Sequence, residues 1–239
     1  MAFSDHVKSL LLSDISSITR NPTSFVKCPE RDFTRNWKIS LQALIEFYIC
    51  MESGNLQHEL LKHFCFRSDT ATVSAFHQQR SKLKPETFLH LLKQFNSHFQ
   101  PETYHGAYRL IACDGSEFNI FLNEKDIDSY YPPSGKSKRG FNMLHVIPLY
   151  DLLSKCYLDV ELQPIHKKNE FRAFCNLMDR FEYGNGLKPI FIADRGFCSY
   201  NVFAHAIENR ACFLIRAKDT YISRLLGKNI SEKEFDGKR

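Results

Sequence analysis

Residues 110–120, LIACDGSEFNI, decide how this chain folds. The run Leu110–Ile111–Ala112–Cys113 has the length and residue types of a buried strand, and it delivers Asp114 at its carboxyl end. A second stretch does the same: in residues 189–201, PIFIADRGFCSYN, a short apolar run ends on Asp194. Carboxylates lifted to the ends of adjacent strands can share a divalent metal. Hard cations such as Mg²⁺ take oxygen ligands and bind through one or two carboxylates plus substrate phosphates.

Working outward from these stretches, residues 108–120 read as a first strand. Residues 141–150 and 155–163 read as two more, joined by a turn at 151–154, hence an antiparallel hairpin. Residues 170–183 form an amphipathic helical pattern with Phe171, Phe174, Leu177, Met178 and Phe181 inward and Gly184 as its stop. A strand over 189–193, a helix capped by Ser199 and running to about Asn209, and a strand over 212–216 follow. Three antiparallel strands leading into parallel strand–helix units is the layout of a ribonuclease H-like α/β mixed sheet flanked by helices. In that layout the ends of the first and fourth strands lie side by side, where Asp114 and Asp194 fall.

The first hundred residues read as helical, so the chain divides into a small helical domain over 1–103 and an α/β domain over 104–239. Thr34 is the expected N-cap before a helix with the stripe Leu41, Leu44, Ile45, Tyr48 and Ile49. A second helix spans about 70–83, with His77, Gln78, Gln79, Arg80 and Lys82 on its polar face. A third opens at Pro85 and carries Phe88, Leu91, Leu92 and Phe95 on one face. Two short helices broken at Lys84–Pro85 fit either a helix-turn-helix reader of DNA or a small bundle with a solvated polar face.

Composition narrows the classes. With 43% hydrophobic and 25% charged residues, the 239-residue chain is ordinary globular material, and 21 Phe against one Trp imply a Phe-rich core. A net charge of +5 permits a polyanion partner without demanding one. The eight cysteines are scattered with no CxxC pair, which argues against zinc ribbons and redox motifs and suits a reducing, cytoplasmic setting. No signal-peptide pattern opens the chain, and its most apolar helical stretch, 39–51, is too short to span a bilayer. Gly135–Lys136–Ser137 fails as a phosphate loop because Tyr130 stands where glycine is required. Gly184–Asn185–Gly186 reads as a turn. His145 reads as a half-buried structural histidine, and His166 as a solvated loop residue with phosphate contact second.

Residues 110–219 resemble the catalytic domain of bacterial insertion-sequence transposases of the DDE group. The matching landmarks are IACDGSEFNI, then DRGFCSYN 80 residues later (194 − 114), then FLIRAK over 213–218. The resemblance implies DNA strand cleavage and strand transfer at element ends, using Mg²⁺ with Mn²⁺ as a substitute. Asp114 would be the bridging metal ligand and Asp194 a ligand to one ion. It implies double-stranded DNA, both terminal inverted repeats and target, as partner, a homodimer on DNA, and no membrane. Lys136, Lys138, Arg139, Arg216 and Lys218 are the expected DNA contacts of this domain, with Arg80 and Lys82 those of the helical domain. The subgroup's third carboxylate sits in a Tyr-x2-Arg-x3-Glu-x6-Lys signature. Tyr221 and Arg224 stand at its spacing, but Lys228 occupies the Glu position, and Glu232 and Glu234 lie in a polar tail. The chain therefore reads as incomplete at its C-terminus. That leaves the alternative of a catalytically inactive DNA-binding remnant able to inhibit a full-length transposase.

Overall fold

The computed structural model describes residues 2–35, 38–135, 137–182 and 186–217. The chain divides into two compact units, Met1–Phe99 and Gln100–Arg239.

The first unit is a bundle of α1 (Phe3–Arg20), α2 (Leu41–Cys50), α3 (Leu56–His63), α4 (Val73–Arg80) and α5 (Glu86–Ser97). Its core joins Ile15 and Ile18 of α1 to Leu44, Ile45 and Phe47 of α2, Leu60 of α3, Phe76 of α4 and Leu91 of α5. Helix α2 starts later than the sequence suggests. Ser40, not Thr34, caps it, its hydroxyl accepting from the Ala43 N–H at 3.1 Å, while Thr34 Oγ1 donates to the Arg31 carbonyl. The hydroxyl nearest the first buried residue, Leu41, satisfies the orphan amide. Helix α4 is likewise shorter at both ends, capped by Thr72. The break before α5 is pinned from elsewhere: Val26 and Leu83 form an isolated antiparallel bridge, and Thr87 Oγ1 donates to the Phe25 carbonyl. Gln79, expected on the solvated face, is buried and accepts from Lys82 Nζ at 3.0 Å.

The second unit holds β1 (Tyr108–Cys113), β2 (Ser116–Ile120), β3 (Tyr130–Tyr131), β4 (Phe141–Asp151), β5 (Cys156–Pro164), α6 (Glu170–Asp179), β6 (Lys188–Ala193), α7 (Tyr200–Glu208) and β7 (Cys212–Ile215). The strands form a seven-stranded mixed sheet. β4 pairs antiparallel with β5 on one edge and with β1 and β2 on the other; β1 pairs parallel with β6, and β6 parallel with β7. This is the ribonuclease H-like order, three antiparallel strands passing into two parallel ones. Helices α6 and α7 cover one face. Ala173, Phe174, Leu177 and Met178 of α6 and Val202 and Ala206 of α7 meet Ile111, Cys113, Ile147, Leu149 and Phe191 of the sheet. Phe174 is the hub, edge-on to Phe191 and Phe197 at 5.9 and 5.3 Å. Phe171, expected inward, is 41% exposed, because the buried stripe of α6 runs through residues 173–174 and 177–178. The hairpin turn is held by buried Asp151, whose Oδ1 accepts from the Leu153 and Ser154 amides while Oδ2 takes the Arg109 guanidinium at 2.8–2.9 Å. Among the described residues, no helix is long and apolar enough to cross a membrane.

Candidate functional site

The Asp114–Gly115 step is not a hairpin turn. Cys113 pairs with Leu149 and Ser116 with Val146, so β1 and β2 run along β4 in one unbroken register. Asp114 therefore stands across from Pro148, which has no N–H to offer the ladder, and Gly115 across from Ile147. On its other side β1 is matched to β6, with Cys113 paired to Ala193. Asp114 and Asp194 are the next step of that register, on neighbouring strands whose backbones run about 4.8 Å apart. Ala193 is in turn paired with Ile215, and the Arg216 amide donates to the Ala193 carbonyl at 3.4 Å. Asp114, Asp194 and Arg216, all exposed, thus line one end of three adjacent strands.

Each aspartate is tied down locally. Asp114 Oδ1 accepts from the Gly115 N–H at 2.8 Å, and Asp194 Oδ1 from the Gly196 N–H at 2.7 Å. Asp194 also opens a short 3-10 turn, Arg195–Phe197, whose buried Phe197 anchors it to the core behind β6. Among the described residues the second oxygen of each carboxylate makes no hydrogen bond, and two hard oxygen donors at adjacent strand ends suit Mg²⁺ or Mn²⁺. Among the described residues, no three His, Cys, Asp or Glu side chains already converge on one point. An ion there would complete its shell with water and substrate phosphate, as Mg²⁺ commonly does.

Against the inner side of Gly115 lies a group of residues that sequence reasoning passed over. A Cβ on Gly115 would meet His145 Cε1 at 2.7 Å, His145 Nε2 at 2.8 Å and Glu170 Oε1 at 3.1 Å. His145 is only 2% exposed, and neither ring nitrogen makes a hydrogen bond, although Nε2 comes within 3.2 Å of Glu170 Oε1. The half-buried structural reading of His145 is therefore corrected: the ring is fully enclosed and unsatisfied. Burial pushes the Cys113 thiol far above its ordinary range, with the negative charges of Asp114 and Glu170 adding to it. Glu117, across from His145 in the ladder, is held below the usual carboxylate range by the hydrogen bond from Lys168.

The remaining expected contacts are scattered. Lys138 and Arg139 are exposed in the loop before β4, but Phe141 lies seven residues from Pro148, about 23 Å along the strand. Arg80 hydrogen-bonds Tyr48, and Lys82 sits 5.6 Å over the Phe33 ring, both within the first unit. His166 is exposed, as expected, with its Nε2 2.9 Å from the Tyr130 carbonyl and its ring edge-on to Tyr131. Lys136, Lys218, Gly184, Asn185, Tyr221, Arg224, Lys228, Glu232 and Glu234 lie outside the described residues.

A family model described as "Transposase DDE domain" matches residues 105–238. The chain belongs to this family. The match spans the α/β unit from before β1 onward, so the transposase domain is the second unit and Asp114 and Asp194 fall within it. No curated protein matches the chain. Among solved structures, it is similar to the Drosophila P element transposase strand transfer complex, at 8% identity and a TM-score of 0.27, covering 77% of this chain and 46% of that one. The chain thus spans a little under half the length of that transposase.

Proposed function

We propose that this transposase cuts and rejoins DNA at the ends of a bacterial insertion sequence, by divalent-metal-dependent phosphoryl transfer at Asp114 and Asp194. The observation that carries the reading is the shared register of the two aspartates, one step beyond the Cys113–Ala193 pair on parallel neighbours. Their local backbone ties hold each carboxylate in one orientation, so little reorganisation is required to receive a cation. Mg²⁺ held there, or Mn²⁺ in its place, would polarise the scissile phosphate and stabilise the leaving oxygen of an in-line displacement. Arg216, whose amide donates to the Ala193 carbonyl beside Asp194, would hold a backbone phosphate of the bound duplex. Lys136, Lys138, Arg139 and Lys218, with Arg80 and Lys82 of the first unit, would extend the phosphate track. A second copy on the same DNA would bring the two element ends together.

The test is metal-dependent DNA affinity, read by fluorescence anisotropy on a labelled duplex. The wild-type chain is expected to bind more tightly when Mn²⁺ is added, and Asp114→Asn and Asp194→Asn to lose that gain. Metal-dependent tightening that survives in both variants contradicts the reading.

A further inference from the structure

We propose that the loop of residues 121–129 is a DNA-bending wedge, whose Phe121 and Leu122 enter a base step of the duplex and kink it. The inference rests on the DNA function proposed above. It adds a surface that shapes the duplex and takes no part in the chemistry.

The first observation is how firmly this loop is held. Ile120 of β2 and Tyr130 of β3 both pair with Asn142 of β4. A strand residue has one ladder partner on each side, so residues 121–129 strap across the start of β4 from one edge to the other. Asn142, fully buried, holds the strap from beneath. Its Oδ1 accepts from the Asn123 amide at 2.7 Å, and its Nδ2 donates to the Asn123 carbonyl at 3.0 Å and to Ser129 Oγ at 2.9 Å. Ser129, equally buried, donates its hydroxyl to Asp126, and Lys167 pairs with Asp128 at 2.6 Å. The polar groups of the strap are spent on fixing its backbone.

Its apolar groups are left in water. Phe121 is 79% exposed, Leu122 57% and Ile127 78%. Large apolar side chains held out by a fixed backbone mark a contact surface. Area and charge select its partner. Three such side chains present about 500 Å² at most, short of the roughly 800 Å² per partner that a stable protein interface buries. Of the strap's acids, Asp126 is bonded to Ser129 and Asp128 to Lys167. Exposed Lys125, with exposed Lys138 and Arg139 just before β4, makes no ion pair among the described residues, which leaves three cations against Glu124. Proteins that bend DNA combine these two features: Phe, Leu or Ile inserted between base steps, and Lys or Arg on the flanking phosphates.

The third observation is reach. Phe121 lies seven residues beyond Asp114 (121 − 114), along a strand in unbroken register with β4. At about 3.3 Å per residue that is about 23 Å, less than one turn of B-DNA, about 34 Å. A duplex engaged at the aspartates therefore meets the strap within its first turn. Rigidity also suits the task. Unstacking a base step is costly, and a loop that had to order itself at the same moment would give up much of what insertion gains. The Asn142 anchor removes that second cost.

The experiment uses the full chain and a mixed-sequence duplex carrying a donor dye at one end and an acceptor at the other. Energy transfer reads bending, permanganate reactivity reads unstacked thymines, and anisotropy reads affinity. Wild type is compared with Phe121→Ala, Phe121→Leu and the double variant Phe121→Ala/Leu122→Ala, each checked for fold by circular dichroism. Wild type is expected to raise energy transfer on binding and to expose thymines to permanganate. The double variant should lose both signals and bind about tenfold more weakly, the share of one lost base contact. Its salt dependence should match wild type, because no phosphate contact is removed. Phe121→Leu, which keeps an apolar wedge, should retain most of the bend. Wild-type bending in the double variant, or a wild-type chain that binds the duplex without bending it, overturns this inference and leaves the DNA function standing. Association between copies without DNA that the double variant abolishes assigns the strap to a second copy, and overturns it as well. A wild-type chain that does not bind the duplex at low salt overturns the DNA function and this inference together.

Discussion

Replacing Gly115 by alanine tests the packing around the site with a single methyl group. The backbone at Gly115 is not in the left-handed region, so alanine is conformationally allowed there. By itself this exchange would stabilise the fold by about 0.4–1 kcal/mol through the unfolded chain's lost freedom. The methyl, however, would sit 2.7–2.8 Å from two ring atoms of His145, which is 2% exposed and packed on β4, and 3.1 Å from Glu170 Oε1. The glutamate can swing away; the enclosed ring cannot without displacing the core. Overpacking of this kind costs about 1–3 kcal/mol, so the net loss should be about 1–2 kcal/mol, or roughly 3–8 °C in the midpoint of the second unit. Thermal unfolding followed by circular dichroism measures it. In Gly115→Ala combined with His145→Ala, the methyl gains room, and the two effects should be non-additive by about 1 kcal/mol or more. A Gly115→Ala variant as stable as wild type, or a strictly additive double variant, refutes the contact between Gly115 and His145.

Asp151→Ala should destabilise the second unit by about 3–5 kcal/mol, because it strands the Arg109 guanidinium, 17% exposed, and unties two turn amides; urea denaturation reads this, and a loss below about 1 kcal/mol would show the pair to be dispensable. Burial raises the Cys175 thiol from 9.0 to about 11 and lifts Cys113 further. Because the folded values lie above the unfolded one, the stability these thiols contribute is intact below about pH 9 and lost progressively as pH rises towards the folded values. A thiol reagent at pH 8 should therefore label exposed Cys28, Cys50, Cys65 and Cys212 quickly and reach Cys113 and Cys175 only on unfolding. Arg216→Ala should weaken duplex binding at low salt and reduce the slope of log affinity against log salt by about 0.9, the share of one phosphate contact; an unchanged slope removes Arg216 from the interface.

How much of this was legible in the sequence varies with the range of the interaction that decides each feature. The sheet was legible because its signals are local. Apolar runs end on Asp114 and Asp194, and from His145 onward β4 alternates strictly, burying His145, Ile147, Leu149 and Asp151. Helix α1 was not singled out, since Asp14 sits on its buried stripe beside Ile15 and Ile18; only the ties to Gln94 and His98 of distant sequence make a charge tolerable there. The start of α2 was misplaced for a similar reason. Thr34 and Ser40 are equally good caps in isolation, and the packing of Leu41 selects the second. Phe171 shows that a helix's apolar stripe can be counted one residue wide of the face that packs. Of the site, the two aspartates were legible as strand ends. The His145–Glu170 couple was not, because it exists only once β4 is laid against β2 in register and α6 returns across it. The glycine at 115 was the one local hint, and Asp-Gly reads first as a turn.

The most direct test of the central claim asks whether Asp114 and Asp194 hold one and the same cation. Fe²⁺ substituted for Mg²⁺ and treated with ascorbate and peroxide cuts the backbone next to the bound ion, and mass spectrometry locates the cuts. Two clusters of cleavage are predicted in the same molecule population, one around residues 113–116 and one around residues 193–196, and both should disappear in either Asp114→Asn or Asp194→Asn. Cutting at one cluster alone, or cutting at both that persists when either aspartate is replaced, would contradict a shared site.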